Sequence, residues 1–168
     1  MVNAQGISMA FLRRAALSIG MAFALFSTSA QASQDGKAAV LAANAQFYAA
    51  INKMFTGEIA PIKAVWSHAD DVTYMGPTGQ FEHGWKTVLK DWEGQAALKL
   101  GGRVEPVEIQ VIVGEDLAVV NDYEQGENTN ANGKVERLRL RATNIFRKEG
   151  GAWKMVGHHT DPLPYLNK

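Results

Sequence analysis

The sequence predicts an α+β fold in which helices cover one face of an antiparallel sheet. Three observations predict it. Apolar residues in the first half recur at helical spacing in three separate runs. The second half carries four runs rich in β-branched and aromatic residues, broken by turns that contain glycine. Between these halves there is no internal repeat and no segment with the composition of a linker. The chain has 168 residues, 46% of them hydrophobic, which suits one globular domain.

The first residues stand apart from that domain. Arg13 and Arg14 precede an uncharged run from Ala15 to Phe26, followed by Ser27-Thr28-Ser29-Ala30-Gln31-Ala32. A basic n-region, an apolar stretch and a small-residue Ala-x-Ala site make a secretory signal peptide. The apolar stretch falls short of the roughly twenty residues that a spanning helix needs. Residues 1–32 are therefore expected to be cleaved, leaving one domain over 33–168 that is periplasmic or secreted. Cleavage removes two positive charges from a chain with 17 basic and 17 acidic residues, so the domain is slightly acidic. Without a basic run it lacks the electrostatic footprint of a nucleic-acid binder, and no second apolar span points to a membrane. The absence of cysteine excludes thiol catalysis, disulfides and thiolate metal sites.

The elements follow in order. Val40, Phe47, Ile51 and Met54, with Leu41, Tyr48 and Phe55 alongside, share one face of a helix from about 37 to 55, which Thr56-Gly57 ends. A short second helix carries Pro61 in its first turn and points Ile59, Ile62, Val65 and Trp66 one way. Residues 71–75 and 80–83 form a short hairpin around Gly76-Pro77-Thr78-Gly79. Gly84 opens a third helix on which Trp85, Val88, Leu89, Trp92 and Ala96 repeat; such a stripe packs a core in preference to forming a ligand platform. After Gly101-Gly102, Arg103 to Val113 and Asp116 to Gln125 read as strands. Glu127 to Gly133 reads as a loop.

The last segment is a long hairpin, two runs on either side of Glu149-Gly150-Gly151-Ala152. Alternation puts Arg137, Arg139, Arg141, Thr143 and Ile145 on one face and Leu138, Leu140, Ala142, Asn144 and Phe146 on the other. On the return strand Trp153, Met155, Gly157 and His159 alternate against Lys154, Val156 and His158. The expected arrangement buries the apolar face against a second copy of the chain and turns the arginines toward a polar pocket; the alternative is a solvated arginine face.

The stretches Asp71-Val72-Thr73-Tyr74-Met75-Gly76-Pro77-Thr78-Gly79, Gly84-Trp85, Trp92-Glu93 and Arg141 through His159 resemble the SnoaL-like branch of the nuclear transport factor 2-like superfamily. They are similar also to the association domain of calcium/calmodulin-dependent protein kinase. The resemblance runs from about 37 to 162. It implies a cone-shaped fold with three N-terminal helices packed on a curved antiparallel sheet, and a homodimer formed through that sheet. The superfamily includes isomerases, dehydratases, polyketide cyclases and assembly domains, so activity must be argued from the site. One departure is Gly157, where relatives often carry the first histidine of a His-x-His pair; His159 occupies the second position.

Candidate site residues follow from both lines. Asp122 and Glu124 share a face of their strand, and Arg139 and Arg141 on the next strand could face them. His159 and Asp122 are candidate general bases, with Tyr74 or Arg141 to steady an oxyanion. Trp66, Tyr74, Trp92, Glu124, Arg139, Arg141 and His159 are the candidate ligand-binding residues. His158 and His159 are adjacent and point to opposite faces of a regular strand, so no metal site is expected, and no cofactor. The leading expectation is a pocket for a small, mostly apolar molecule bearing a polar or acidic group; a proton-transferring enzyme and a dimeric assembly module are the alternatives.

The leader yields a direct test. Protein recovered from a periplasmic extract of an expressing bacterium should begin at Ser33 by N-terminal sequencing, whereas a chain beginning at Met1 or Met9 contradicts cleavage.

Overall fold

A computed structural model describes residues 34–130 and 132–161. The signal-peptide reading falls on residues outside that range. Three helices and six strands are present among the described residues: α1 over 34–54, α2 Ala60–Val65, β1 Thr73–Met75, β2 Phe81–His83, α3 Trp85–Leu98, β3 Arg103–Val113, β4 Leu117–Thr129, β5 Val135–Glu149 and β6 Ala152–Asp161. The described residues from Lys37 onward form one compact unit. No described helix is long and apolar enough to cross a membrane.

The helices form and stop where the sequence dictates. Val40, Phe47, Ile51 and Met54 of α1 are all buried, one stripe at intervals of three, four and seven. Gly57, at φ +98°, then turns the chain through a conformation that residues with a Cβ seldom adopt. Asn52 at the end of α1 bonds the backbone of Val104 in both directions, with both distances 2.9 Å. This side chain stands in for a neighbouring strand and fixes α1 to the start of β3. Pro61 lies in the first turn of α2, where its missing N–H costs nothing.

The sheet order is β2-β1-β6-β5-β4-β3. The pairing departs from a purely antiparallel sheet at one seam: β1 runs parallel to β6, with Tyr74 opposite His158. Trp66 makes a further parallel bridge to Met155, and Ser67 N–H donates to the Met155 carbonyl at 2.8 Å. Arg147 of β5 reaches Asp71 at 2.6 Å and Glu149 at 2.8 Å, tying the approach to β1 to the long hairpin. β4 extends to Thr129 and takes in the first part of the expected loop.

Two bulges bend the sheet. In β3 an extra residue lies between Val107 and Gln110, with Glu108 at φ +56°. In β6, Ile145 of β5 pairs with Gly157 while the next residue, Phe146, pairs with Met155, so Val156 is the extra residue. A bulge increases local twist and, because side chains alternate with period two, reverses which residues face inward beyond it. Gly126 permits a close approach: a Cβ there would sit 1.9 Å from the Arg103 carbonyl oxygen.

The core lies between the helices and one face of the sheet. Phe47 is at its centre, in edge contact with Trp66, Trp92 and His158 at centroid distances of 6.5, 6.3 and 4.8 Å. The core face of β5 is the apolar one: Ala142, Asn144 and Phe146 are buried and Leu138 packs against the core. The apolar patch on which a sheet-mediated dimer was expected is therefore the inner wall of the domain, and the arginine face is the outer one.

Phe47→Ala should lower unfolding free energy by about 3–5 kcal/mol, the range for emptying a packed aromatic site. Phe81→Ala, at a position 66% exposed, should change it by about 0.5 kcal/mol or less. Urea denaturation of the two variants measures both.

Candidate active site

The site begins with strand alternation. Ala118, Val120, Asp122 and Glu124 are the buried positions of β4, so two carboxyl groups follow two apolar residues into the interior. The ladder sets Asp122 opposite Ala142 and Tyr123 opposite Arg141. The expected facing of Asp122 by Arg141 is thus overturned, because the two residues lie on opposite faces of the sheet. Arg141 pairs with Asp161 at 2.6 Å in an exposed position, and Arg139 pairs with Glu108 at 2.7 Å and lies over the Tyr123 ring. Neither arginine reaches the interior.

The same reasoning relocates the histidine. The bulge at Val156 brings His158 to the inner face beside Asn144, and His159 becomes exposed. Tyr74, Trp92 and Glu124 line an interior cavity of about 130 Å³. Trp66 is buried but packs against Phe47, Trp85 and Trp92 away from the cavity lining. Asp122 is buried next to the cavity wall, within a hydrogen-bond network.

That network decides the protonation states. Asp122 accepts from the Tyr48 hydroxyl at 2.7 Å and from Asn44 Nδ2 at 3.3 Å, with Asn144 Nδ2 at 3.5 Å. Burial raises its pKa and these donors oppose the rise. Glu124 lacks such support. Burial, and then the charge of Asp122, push its carboxyl up to about 8. Asp122 therefore keeps the charge and Glu124 keeps a proton at neutral pH.

His158 completes the arrangement. Asn144 donates through Nδ2 to Asn44 Oδ1 at 2.8 Å, which leaves its oxygen facing His158 Nδ1 at 2.6 Å. The oxygen only accepts, so Nδ1 carries the ring proton and Nε2 presents a lone pair. Burial, reinforced by His159, holds the ring neutral, with its pKa lowered to about 3. Nε2 lies 3.5 Å from Glu124 Oε1. A carboxylate would be repelled by that lone pair, whereas a carboxylic acid can donate to it. The pair is a neutral acid beside a neutral base.

Tyr74 stacks on His158 with an interplanar angle of 5° and accepts a hydrogen bond from Gln95 Nε2 at 2.9 Å. Burial raises its pKa, so it stays a hydroxyl whose own proton can be donated. Among the described residues four buried side-chain atoms have no hydrogen-bond partner: Trp66 Nε1, Trp92 Nε1, Glu124 Oε1 and Thr160 Oγ1. Three of the four residues, Trp92, Glu124 and Thr160, line the cavity. Buried polar groups are nearly always paired, and here three orphans gather around one hollow. No cluster of metal-ligating side chains occurs among the described residues.

Sequence reasoning missed Asn44, Tyr48, Asn144, His158, Gln95 and Thr160. A signal was available for three of them. Asn44 and Tyr48 lie one turn apart on the buried stripe of α1, and Asn144 is the polar member of the face formed by Leu138, Leu140, Ala142 and Phe146.

An α+β arrangement of helices over one curved sheet is that of the nuclear transport factor 2-like superfamily. Within it the chain belongs to the SnoaL-like domain family, whose model matches residues 40–163. A protein from Streptomyces avermitilis assigned as a dehydratase of the nuclear transport factor 2-like family is 23% identical, with a TM-score of 0.70 over 78% of this chain and 98% of its own. A protein from Thiobacillus denitrificans assigned as a calcium/calmodulin-dependent protein kinase type II association domain is 27% identical, with a TM-score of 0.58 over 73% and 93%. A superfamily member from Salmonella enterica is 13% identical, with a TM-score of 0.70 over 81% and 98%. No curated protein matches the chain.

The protonation of Glu124 predicts a pH dependence. Between its ordinary value of 4.5 and about 8 the folded protein holds a proton that the unfolded chain has released. Stability therefore falls as pH rises through that window. Between pH 6.5 and pH 9, above the window of His158, the melting temperature should drop by roughly 5 °C in the wild type and by much less in Glu124→Gln. Parallel curves for the two proteins would contradict a protonated Glu124.

Proposed function

We propose that this chain binds a small, mostly apolar molecule bearing a carbonyl or hydroxyl oxygen in the interior cavity and moves a proton on it, in the manner of an isomerase or dehydratase. The observation that carries the reading is Glu124 Oε1, buried and without a hydrogen-bond partner beside the lone pair of His158 Nε2. A pocket that only binds would be better served by a paired carboxylate. Here no cation meets the acid, and its proton affinity is tuned to near neutrality, where a general acid or base is most useful.

Each residue then has a task. Glu124 donates its proton as the neutral acid and accepts one as the carboxylate above about pH 8, while His158 Nε2, held neutral, accepts a hydrogen bond from the acid and orients it. Asn144 fixes the tautomer of His158 through Nδ1. Asp122, held by Tyr48 and Asn44, keeps a fixed negative charge nearby that raises the affinity of Glu124 for its proton. Tyr74 O–H and Trp92 Nε1–H are the donors available for a substrate oxygen. Ile51, Met54, Leu138 and Leu140 supply the apolar wall. The assembly reading rests on the relatives assigned as association domains, since the apolar face invoked for it points inward. Export remains part of this proposal on the strength of the leader sequence alone.

Cyclohexanone, a ring that suits the cavity, tests the chemistry. In heavy water the wild type should speed exchange of the protons next to the carbonyl, followed by NMR, with a rate that climbs with pH and levels off above about 8. Glu124→Gln should lose about 10²–10⁴-fold of that acceleration, the usual contribution of a general base. Exchange no faster than in buffer would reject proton transfer on ketones of this size.

A further inference from the structure

The interior cavity adjoins a larger hollow. Between the 76–80 turn and α3 lies an open cleft of about 620 Å³, and Tyr74, Pro77, Gln95 and Leu100 line both. With the shallow groove beyond β5 the cavity shares Leu138 alone. The boundary between cavity and cleft is thus a few side chains thick. Gln95 donates to the Tyr74 hydroxyl at 2.9 Å and to Asp91 Oδ2 at 2.6 Å, so it sits at that boundary with one hydrogen bond toward the buried ring and one toward the outside. Gly76 presses on the same point: a Cβ there would meet the Tyr74 hydroxyl at 2.6 Å and the Gln80 amide at 2.5 Å.

We infer that the cleft is a second compartment of the same binding site, seating a neutral or cationic polar arm of a molecule whose apolar ring occupies the cavity. This deepens the proposed function and rests on it only in taking the cavity as the seat of the ligand. Size argues for the arm. A hollow of about 130 Å³ holds a single small ring, as an engineered cavity of roughly 150 Å³ holds benzene. A larger molecule needs more room, and the cleft beyond the Tyr74–Gln95 boundary, which shares four lining residues with the cavity, offers it. Charge argues for the class. The cleft carries two carboxylates, Glu82 and Asp91, against one ammonium, Lys90, and the neutral donors and acceptors of Thr78, Gln80 and Thr87. An anionic arm would meet a net negative wall in a partly enclosed place, whereas a hydroxyl or an amine finds acceptors. Gln95 acts here as a positioning residue, swinging between Tyr74 and the arm.

Gly94 makes the idea testable without touching the cavity. It lines the cleft from an exposed place on α3, and a Cβ there would meet nothing within 4 Å. Gly94→Phe fills the cleft, and Gly94→Ala controls for the change of helix propensity. Calorimetric titrations with benzyl alcohol, 4-phenylbutanol, 4-phenylbutylamine and 4-phenylbutyrate compare a bare ring with the three kinds of arm. The butanol and the butylamine should bind the wild type and Gly94→Ala about ten-fold more tightly than benzyl alcohol, the gain from part-burying a few methylenes and one polar end. The butyrate should gain nothing. Gly94→Phe should abolish the gain and leave benzyl alcohol within two-fold. Equal affinity for ring and armed ring, a butyrate that binds tightest, or a Gly94→Phe protein that keeps the gain overturns the inference while the cavity reading stands. If benzyl alcohol and all three armed compounds fail to bind, the cavity reading falls and the cleft falls with it.

Discussion

Two carboxyl groups two residues apart on the inner face of β4 cannot both be charged where no cation reaches them, and much of the interior is arranged around that constraint. Asp122 is given donors from α1, through Tyr48 and Asn44, and one from β5, through Asn144. Glu124 is given His158 Nε2. The distribution is unequal, so the shared environment yields one fixed charge and one movable proton. The polar members of the α1 stripe are explained by the same need. A helix whose face was wholly apolar would leave Asp122 only the long contact from Asn144, and the cost of a poorly partnered buried carboxylate would be borne by the fold.

The helices and strands were legible because each carries its own period. Val40, Phe47, Ile51 and Met54 announce α1, and Val88, Trp92 and Ala96 announce α3, since a buried stripe needs no knowledge of what it packs against. The C-terminal hairpin was equally plain from its turn. The facing of its strands was harder to read. Alternation sorts residues into two sets and does not say which set is inside. Arg139 and Arg141 were assigned to the pocket because opposite charges across a sheet attract, yet each found an acid on the outer face, Glu108 and Asp161. The antiparallel expectation failed at β1 for a related reason: three residues carry no signal about the direction of a distant partner.

His159 shows how small an irregularity suffices. Counting in twos from Trp153 puts Met155, Gly157 and His159 together, and that count is right as far as Met155. The extra residue at Val156 shifts it by one, so that Met155 and His158 face the same way. Nothing in Met155-Val156-Gly157-His158 announces a bulge more strongly than a regular strand would. The likeness to the SnoaL-like family pointed to His159 of β6, and the ladder turns its neighbour His158 inward instead. Tyr74, Trp92 and Glu124 line the cavity, and each lies in an element without such a shift on the relevant side.

The parallel seam between β1 and β6 has a consequence for how the domain comes together in time. Thr73 lies against Gly157 and Met75 against His159, contacts between segments more than eighty positions apart. Strands β3 to β6 can assemble by successive hairpins, each local in sequence. The β1–β2 hairpin has no place in the sheet until β6 is laid down. Loop closure of that length is entropically slow, so the seam is expected to form late, and a nascent chain lacking Ala152–Asp161 would leave the Tyr74 side of the cavity unmade. The acid and its histidine come together when β6 joins β5, one step before the seam lays Tyr74 against that histidine and closes the fold.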